Sequence, residues 1–230
     1  MFQCEPHSVR THDLLGIDAN QLMAAQASAP KWVEKSLRKS PFVVVRRDRA
    51  TGGQIPVGVR GAERNQRWAT FCHPKFVQSI LAPPQLLGLT VAISRSDLIP
   101  AFRAFTILKD RWRDLDHRWG PAGSIGFELA TGNLVANPRS DLDIVVYADR
   151  RMARDEAKSL YAIVIELPAS VDIRVETLVC GFSLSEYAQA ESSTILLRTP
   201  RGHVLGDDPW SDELKLSDAG QTVAEQFNVQ

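Results

Sequence analysis

Gly123-Ser124 and, further along, Asp141-Leu142-Asp143-Ile144-Val145-Val146 are the residues of this chain whose types and spacing best suit chemistry. Alternate side chains of a strand share a face, so Asp141 and Asp143 point one way while Leu142, Ile144 and Val146 point into a core. Two carboxylates at neighbouring same-face positions repel each other and lose hydration. A hard divalent cation such as Mg²⁺, which takes oxygen ligands, relieves both effects. Asp-x-Asp also serves as an ordinary solvated face, and Gly-Ser turns are common. What favours chemistry is a second strand, Val171-Asp172-Ile173-Arg174-Val175-Glu176-Thr177, whose alternation lets Asp172 face the same place. This set suits a triphosphate. Backbone N–H groups at Gly123 and Ser124, with the Ser124 hydroxyl, match phosphate oxygens, and Gly123 lets the backbone approach closely. Asp141, Asp143 and Asp172 are then the expected Mg²⁺ ligands and catalytic groups, with Asp172 either completing the metal site or receiving a proton. Glu128, five residues from Gly123, either orients this loop or stands as a surface glutamate.

The elements that must position these residues belong to a chain of 230 residues, long enough for one large domain or two small ones. With 44% apolar and 23% charged residues the composition is that of a soluble globular protein. No run approaches the roughly 18 apolar residues of a membrane span, and residues 1–10 lack a signal-peptide core. Cys4, Cys72 and Cys180 are widely spaced with no C-x-x-C, which predicts reduced thiols in a cytoplasmic protein. Cys72-His73 has no partners at zinc-like spacing. A formal net charge of zero argues against a broad nucleic-acid grip. Arg46, Arg47, Arg49, Arg60, Arg64 and Arg67 nevertheless crowd the N-terminal third, and Arg111, Arg113 and Arg118 follow. They either solvate a surface or meet phosphates or an acidic protein partner.

Periodicity predicts a helix over 30–39, a strand over 42–47, a turn at 51–53, a strand over 54–60 and a helix over 62–71. Pro56 predicts that its strand lies at an edge or is locally irregular. Ala82-Pro83-Pro84 reads as a short stiff linker, dividing an α+β domain over 1–82 from a second domain over 85–230. Leu98, Phe102, Phe105, Trp112, Leu115 and Trp119 trace an apolar helical stripe starting near Pro100 and stopped by Gly120-Pro121. A helix is expected from Ala153 to Val164. Another opens at the capping box Ser183-Leu184-Ser185-Glu186 and runs to about Ala190. A strand over 194–198, a loop over 199–202 and a polar tail complete the chain. Sixteen residues separate Ser124 from Asp141, and residues 130–139 read as an inserted loop or hairpin. The class is α+β, with a small mixed sheet and flanking helices.

Longer segments carry a resemblance. They are His12-Asp13-Leu14-Leu15, Pro41-Phe42-Val43-Val44-Val45-Arg46-Arg47, Val57-Gly58-Val59-Arg60-Gly61, the run from Trp119 through Gly123-Ser124 to Gly132, Ser140-Asp141-Leu142-Asp143, and Leu196-Leu197-Arg198-Thr199-Pro200. Together they are similar to the phosphoribosyl-dephospho-CoA transferases of malonate decarboxylase, the family of its holo-acyl-carrier-protein synthases. The resemblance implies a polymerase-β-like nucleotidyltransferase domain after the small N-terminal one. It implies transfer of 2'-(5''-triphosphoribosyl)-3'-dephospho-CoA to a serine of the acyl-carrier protein subunit, with a phosphodiester formed and pyrophosphate released. It also places the two catalytic aspartates at Asp141 and Asp143, while Asp172 rests on superfamily geometry and strand pattern. Neither nucleic acid nor membrane is an expected partner. Two other readings stay open: an ATP-dependent nucleotidyltransferase acting on a small alcohol or protein hydroxyl, and a non-catalytic nucleotide-binding module.

Overall fold

Two separate alternations of apolar and polar residues build two sheets, each with its own core. The computed structural model describes residues 9–50, 52–63, 65–190 and 194–216; Cys4, Thr51, Arg64 and the tail beyond 216 lie outside these described residues. The first part contains β1 (Leu14–Ile17), α1 (Ala19–Ala24), α2 (Lys31–Lys39), β2 (Phe42–Val45), β3 (Ile55–Arg60), β4 (Arg67–Cys72) and β5 (Val77–Leu81). Its sheet is antiparallel throughout, in the order β4-β3-β2-β1-β5. Val33 and Leu37, one turn apart on α2, bury against Val43, Val57 and Val59 of the sheet.

Two expectations are corrected here. β3 is an interior strand despite Pro56, because the Pro56 carbonyl accepts from Arg46 just past the end of β2, where the missing donor costs no ladder bond. Residues 67–72 form β4 rather than the end of a helix. Thr70 and Cys72 are buried while Arg67 and Ala69 are exposed, a period of two that Trp68 and Phe71 obscure in the sequence.

A 3₁₀ turn, Pro83–Gly88, leads into the second part. There follow α3 (Ile93–Leu98), α4 (Pro100–Arg111), β6 (Arg118–Pro121), α5 (Gly123–Thr131), β7 (Leu142–Tyr147) and α6 (Arg154–Val164). The chain then forms β8 (Val171–Glu176), β9 (Gly181–Ser183), α7 (Leu184–Gln189), β10 (Ile195–Thr199), β11 (Gly202–Gly206) and α8 (Glu213–Leu216). The sheet is mixed, ordered β11-β10-β9-β8-β7-β6, with β7 and β8 parallel and the other pairs antiparallel. α6 is the crossover that a parallel pair requires. Leu142, Ile144 and Val146, with Ile173 and Val175, join Phe102, Phe105, Leu108 and Leu160 in one core.

The apolar stripe expected from Leu98 to Trp119 is not one helix. Pro100 occupies the first turn of α4, Trp112 caps its end, and Trp119 returns in β6 to meet Trp112 edge-on at 5.1 Å between ring centroids. Helical spacing there came from two elements converging on one core. The α7 helix forms without its capping box: Ser183 makes no side-chain cap, and Glu186 accepts from Leu196 N–H instead. The 199–202 loop is the turn of a hairpin, since β10 pairs with β11. The stiff segment after residue 82 is fastened to β6. Pro83 and Leu86 are buried, and a Cβ on Gly120 would lie 2.0 Å from the Pro83 carbonyl oxygen.

Candidate functional site

The parallel register of β7 and β8 sets Asp143 directly opposite Asp172. Partners in register share a face, so Asp143, Val145 and Tyr147 line one side with Asp172, Arg174 and Glu176. This is the side turned away from the core of α4 and α6. Gly123 opens α5 with φ at 55°, and a Cβ there would lie 1.7 Å from Asp143 Oδ2. The preceding Ala122 N–H donates to the Asp143 carbonyl at 2.8 Å, fastening the head of α5 to the start of β7. Ser124 lies in the first turn of α5, and Asp141 stands exposed one residue before β7.

Gly123, Asp143 and Asp172 are therefore brought together, with Asp141 and Ser124 flanking them. Burial pushes the Asp143 carboxyl above its ordinary value; Arg60 opposes the shift, Asp172 and Asp141 add to it, and His12 opposes it. Among the described residues no group of three or more His, Cys, Asp or Glu is gathered as a metal-binding cluster. The donor chemistry of the paired aspartates nonetheless fits a hard cation, which neutralises the mutual repulsion felt at Asp143. Asp143 and Asp172 are the pair that fits, and Asp141 reaches them through its charge. Asp172 also accepts a 3.2 Å hydrogen bond from Arg174.

Glu128 is buried and orients the loop after α5. Its carboxylate accepts from Arg95 at 2.7 and 2.8 Å and from the N–H groups of Val135 and Ala136 at 3.0 and 2.9 Å. Burial would raise Glu128, but these hydrogen bonds and the Arg95 charge hold it below its usual value. The 130–139 segment is thus not a hairpin: residues 130 and 131 end α5, and the rest is a loop folded over one carboxylate.

Sequence reasoning missed what the first sheet contributes. Arg10 grips Asp149 with two hydrogen bonds of 3.0 and 2.7 Å, and Tyr147 Oη donates to the Thr11 carbonyl at 3.1 Å. His12, at φ 77°, places Nε2 2.9 Å from Glu176 Oε1, and Arg47 binds Glu176 Oε2. A histidine at positive φ costs of order 1 kcal/mol, which this tie offsets. None of these pairs has a sequence signature, because more than 100 residues separate the partners.

Glu176 is only 3% exposed. Burial alone would raise its carboxyl, but the His12 hydrogen bond and the Arg47 and His12 charges hold it below the ordinary 4.5. A depressed carboxylate adds stability that is complete above its unfolded value and is lost as pH falls through its native value. Glu176→Gln is expected to lose about 2–4 kcal/mol at pH 7, since it removes the charge partner of half-buried Arg47 and the acid partner of His12. Urea unfolding at several pH values checks this: the gap from wild type should close below pH 4.5. A gap independent of pH would overturn the role of the charge.

An α+β chain with two sheets, and with paired carboxylates beside a helix start, is the class this geometry defines. Residues 10–83 match the N-terminal domain of phosphoribosyl-dephospho-CoA transferase MdcG, and residues 88–209 match its C-terminal domain. A Pseudomonas aeruginosa protein named phosphoribosyl-dephospho-CoA transferase is 34% identical over 206 residues, covering 90% of this chain and 93% of its own. Relatives of the same name from Pseudomonas fluorescens strain Pf0-1 and Klebsiella pneumoniae strain 342 are 35% and 34% identical. They cover 88% and 89% of this chain, and 95% and 97% of their own lengths. No solved structure matches the chain. The chain belongs to the phosphoribosyl-dephospho-CoA transferase family and is a transferase. Among the described residues no helix is long and apolar enough to cross a membrane.

Proposed function

We propose that this transferase moves 2'-(5''-triphosphoribosyl)-3'-dephospho-CoA onto a serine of the acyl-carrier subunit of malonate decarboxylase, forming a phosphodiester and releasing pyrophosphate. The observation that carries the reading is Asp143 facing Asp172 in register beside the positive-φ Gly123 at the head of α5. Asp143 and Asp172, with Asp141, would hold Mg²⁺, which when bound supplies charge neutralisation for the triphosphate and the attacking oxygen.

The chain's own groups do the rest. Backbone N–H groups at the start of α5 receive phosphate oxygens, aided by the helix dipole, and Ser124 lies beside them. An Asp172 carboxylate oxygen, open to solvent and held by Arg174, takes the proton of the incoming serine hydroxyl. Asp143 packs against Gly123 at the head of α5, which would set its carboxylate beside the donor's phosphates. Buried free Cys72 and Cys180 support a reducing, cytoplasmic setting.

The test combines purified apo carrier subunit, donor and Mg²⁺, read by intact-protein mass. A carrier mass gain equal to the donor less pyrophosphate, abolished by EDTA, is the expected result. No gain from a carrier and donor that another transferase can join would overturn the proposal and turn the search to ATP and small alcohols.

A further inference from the structure

Arg60 closes β3 and Arg67 opens β4, and the register sets them directly opposite each other. Like charges at opposed positions weaken an antiparallel pair. Among the described residues neither guanidinium takes part in an ion pair or side-chain hydrogen bond, and Asp143 acts on Arg60 only through its charge. Their neighbours differ, since Arg46 pairs with Asp48 and Arg47 with Glu176. The arginine pair is also firmly placed. Gly61 N–H donates to Gln66 O at 2.9 Å to close the hairpin, and a Cβ on Gly61 would lie 2.8 Å from the Trp32 ring.

Gly58 and Ala69 continue the same face of the first sheet beside the two arginines, with the Arg46 side chain lying over Gly58. Arg60 on that face lies within the charge of Asp143, and Asp143 within that of Arg60. Neighbouring protein atoms partly desolvate Arg60, and with the Arg67 charge this lowers it from its ordinary value, while Asp143 pulls it back up. The ties from Arg10, His12 and Arg47 to Asp149 and Glu176 hold the first sheet in this position.

We propose that Arg60 and Arg67 form a second wall of the active site, contributed by the first sheet, that binds the polyphosphate of the donor opposite the start of α5. Two adjacent guanidinium groups present a broad fork of donors that matches phosphate oxygens, and an anion between them removes the repulsion the fold leaves in place. The inference rests on the transferase reading above and assigns it a phosphate-binding pair from the N-terminal part of the chain.

Inorganic tripolyphosphate in Mg²⁺ buffer is the probe, titrated calorimetrically into the full-length wild type and into Arg60→Gln, Arg60→Lys, Arg67→Gln and the double glutamine variant. Each single glutamine variant should bind about tenfold more weakly, the double variant about a hundredfold, and Arg60→Lys by less than Arg60→Gln. The salt dependence of binding should become shallower in step. Melting temperatures matching wild type confirm folding, and if the double variant does not fold the single ones decide. In the transfer assay the donor KM rises and the carrier KM does not. Binding within about twofold of wild type in every variant, or no tripolyphosphate binding by wild type, overturns the inference. Arginine-dependent binding without carrier modification leaves it standing and removes the functional reading instead. Carrier modification with an unchanged donor KM in the variants does the reverse.

Discussion

Asp143→Asn is expected to abolish transfer, by about 10³-fold or more, while melting at or above the wild-type temperature. The two halves of this result have one cause. Asp143 is a shielded carboxylate whose ionised form is opposed by burial and by the charges of Asp172 and Asp141. An amide of the same shape removes that repulsion, so the fold loses nothing. The same change removes the anionic oxygen that a cation at this site requires, and losing such a ligand costs about 4 kcal/mol of transition-state stabilisation. Intact-protein mass for transfer and a thermal melt for folding measure the two separately. More than about a tenth of wild-type transfer would remove Asp143 from the catalytic group, since a tenfold loss is only about 1.4 kcal/mol. A variant that melts well below wild type would show that the carboxylate serves the fold instead.

The site was legible in the sequence where its parts are local. Asp172 stands on a strand of full alternation, and Asp143 on one whose alternation runs from Asp141 to Ile144 before an apolar run, so both strands and the shared face could be read before any pairing was known. Gly123 was legible as a residue that lets backbone come close, although the group it approaches, the Asp143 side chain, is fixed by tertiary packing. Asp141 was read as part of the strand and lies just ahead of it, because the ladder begins only at Leu142. The first sheet was less legible. β1 and β5 are short strands whose pairing joins residues 60 or more apart, and β4 hides its period of two behind aromatic residues. Arg60 and Arg67 look like any other surface arginines until the β3–β4 register puts them side by side and Arg60 comes under the charge of Asp143. Local patterns show which residues can act; the long-range ties of Glu176 and Asp149 decide which residues join them.

Gly123→Ala is the second change with a large expected effect, and it tests the geometry without touching any functional group. Glycine adopts φ 55° freely, whereas alanine pays roughly 1 kcal/mol in that region. The larger consequence is steric. The new methyl would lie 1.7 Å from Asp143 Oδ2, 2.6 Å from its Cγ and 2.9 Å from its Cβ. Rotating the carboxyl relieves only the first of these contacts, so the whole side chain or the head of α5 must move. Ala122 N–H is bonded to the Asp143 carbonyl, so a shift of α5 also pulls on the start of β7. A displacement of about 1 Å at reacting groups costs about 10²-fold in rate, and that is the expected loss of kcat. The stability cost should stay near 1–3 kcal/mol, within the range of an overpacked site. Ser124→Ala, which adds no volume, should lose less than Gly123→Ala in the same assay. Full transfer activity in Gly123→Ala would mean that the close approach of α5 to Asp143 has no part in the reaction.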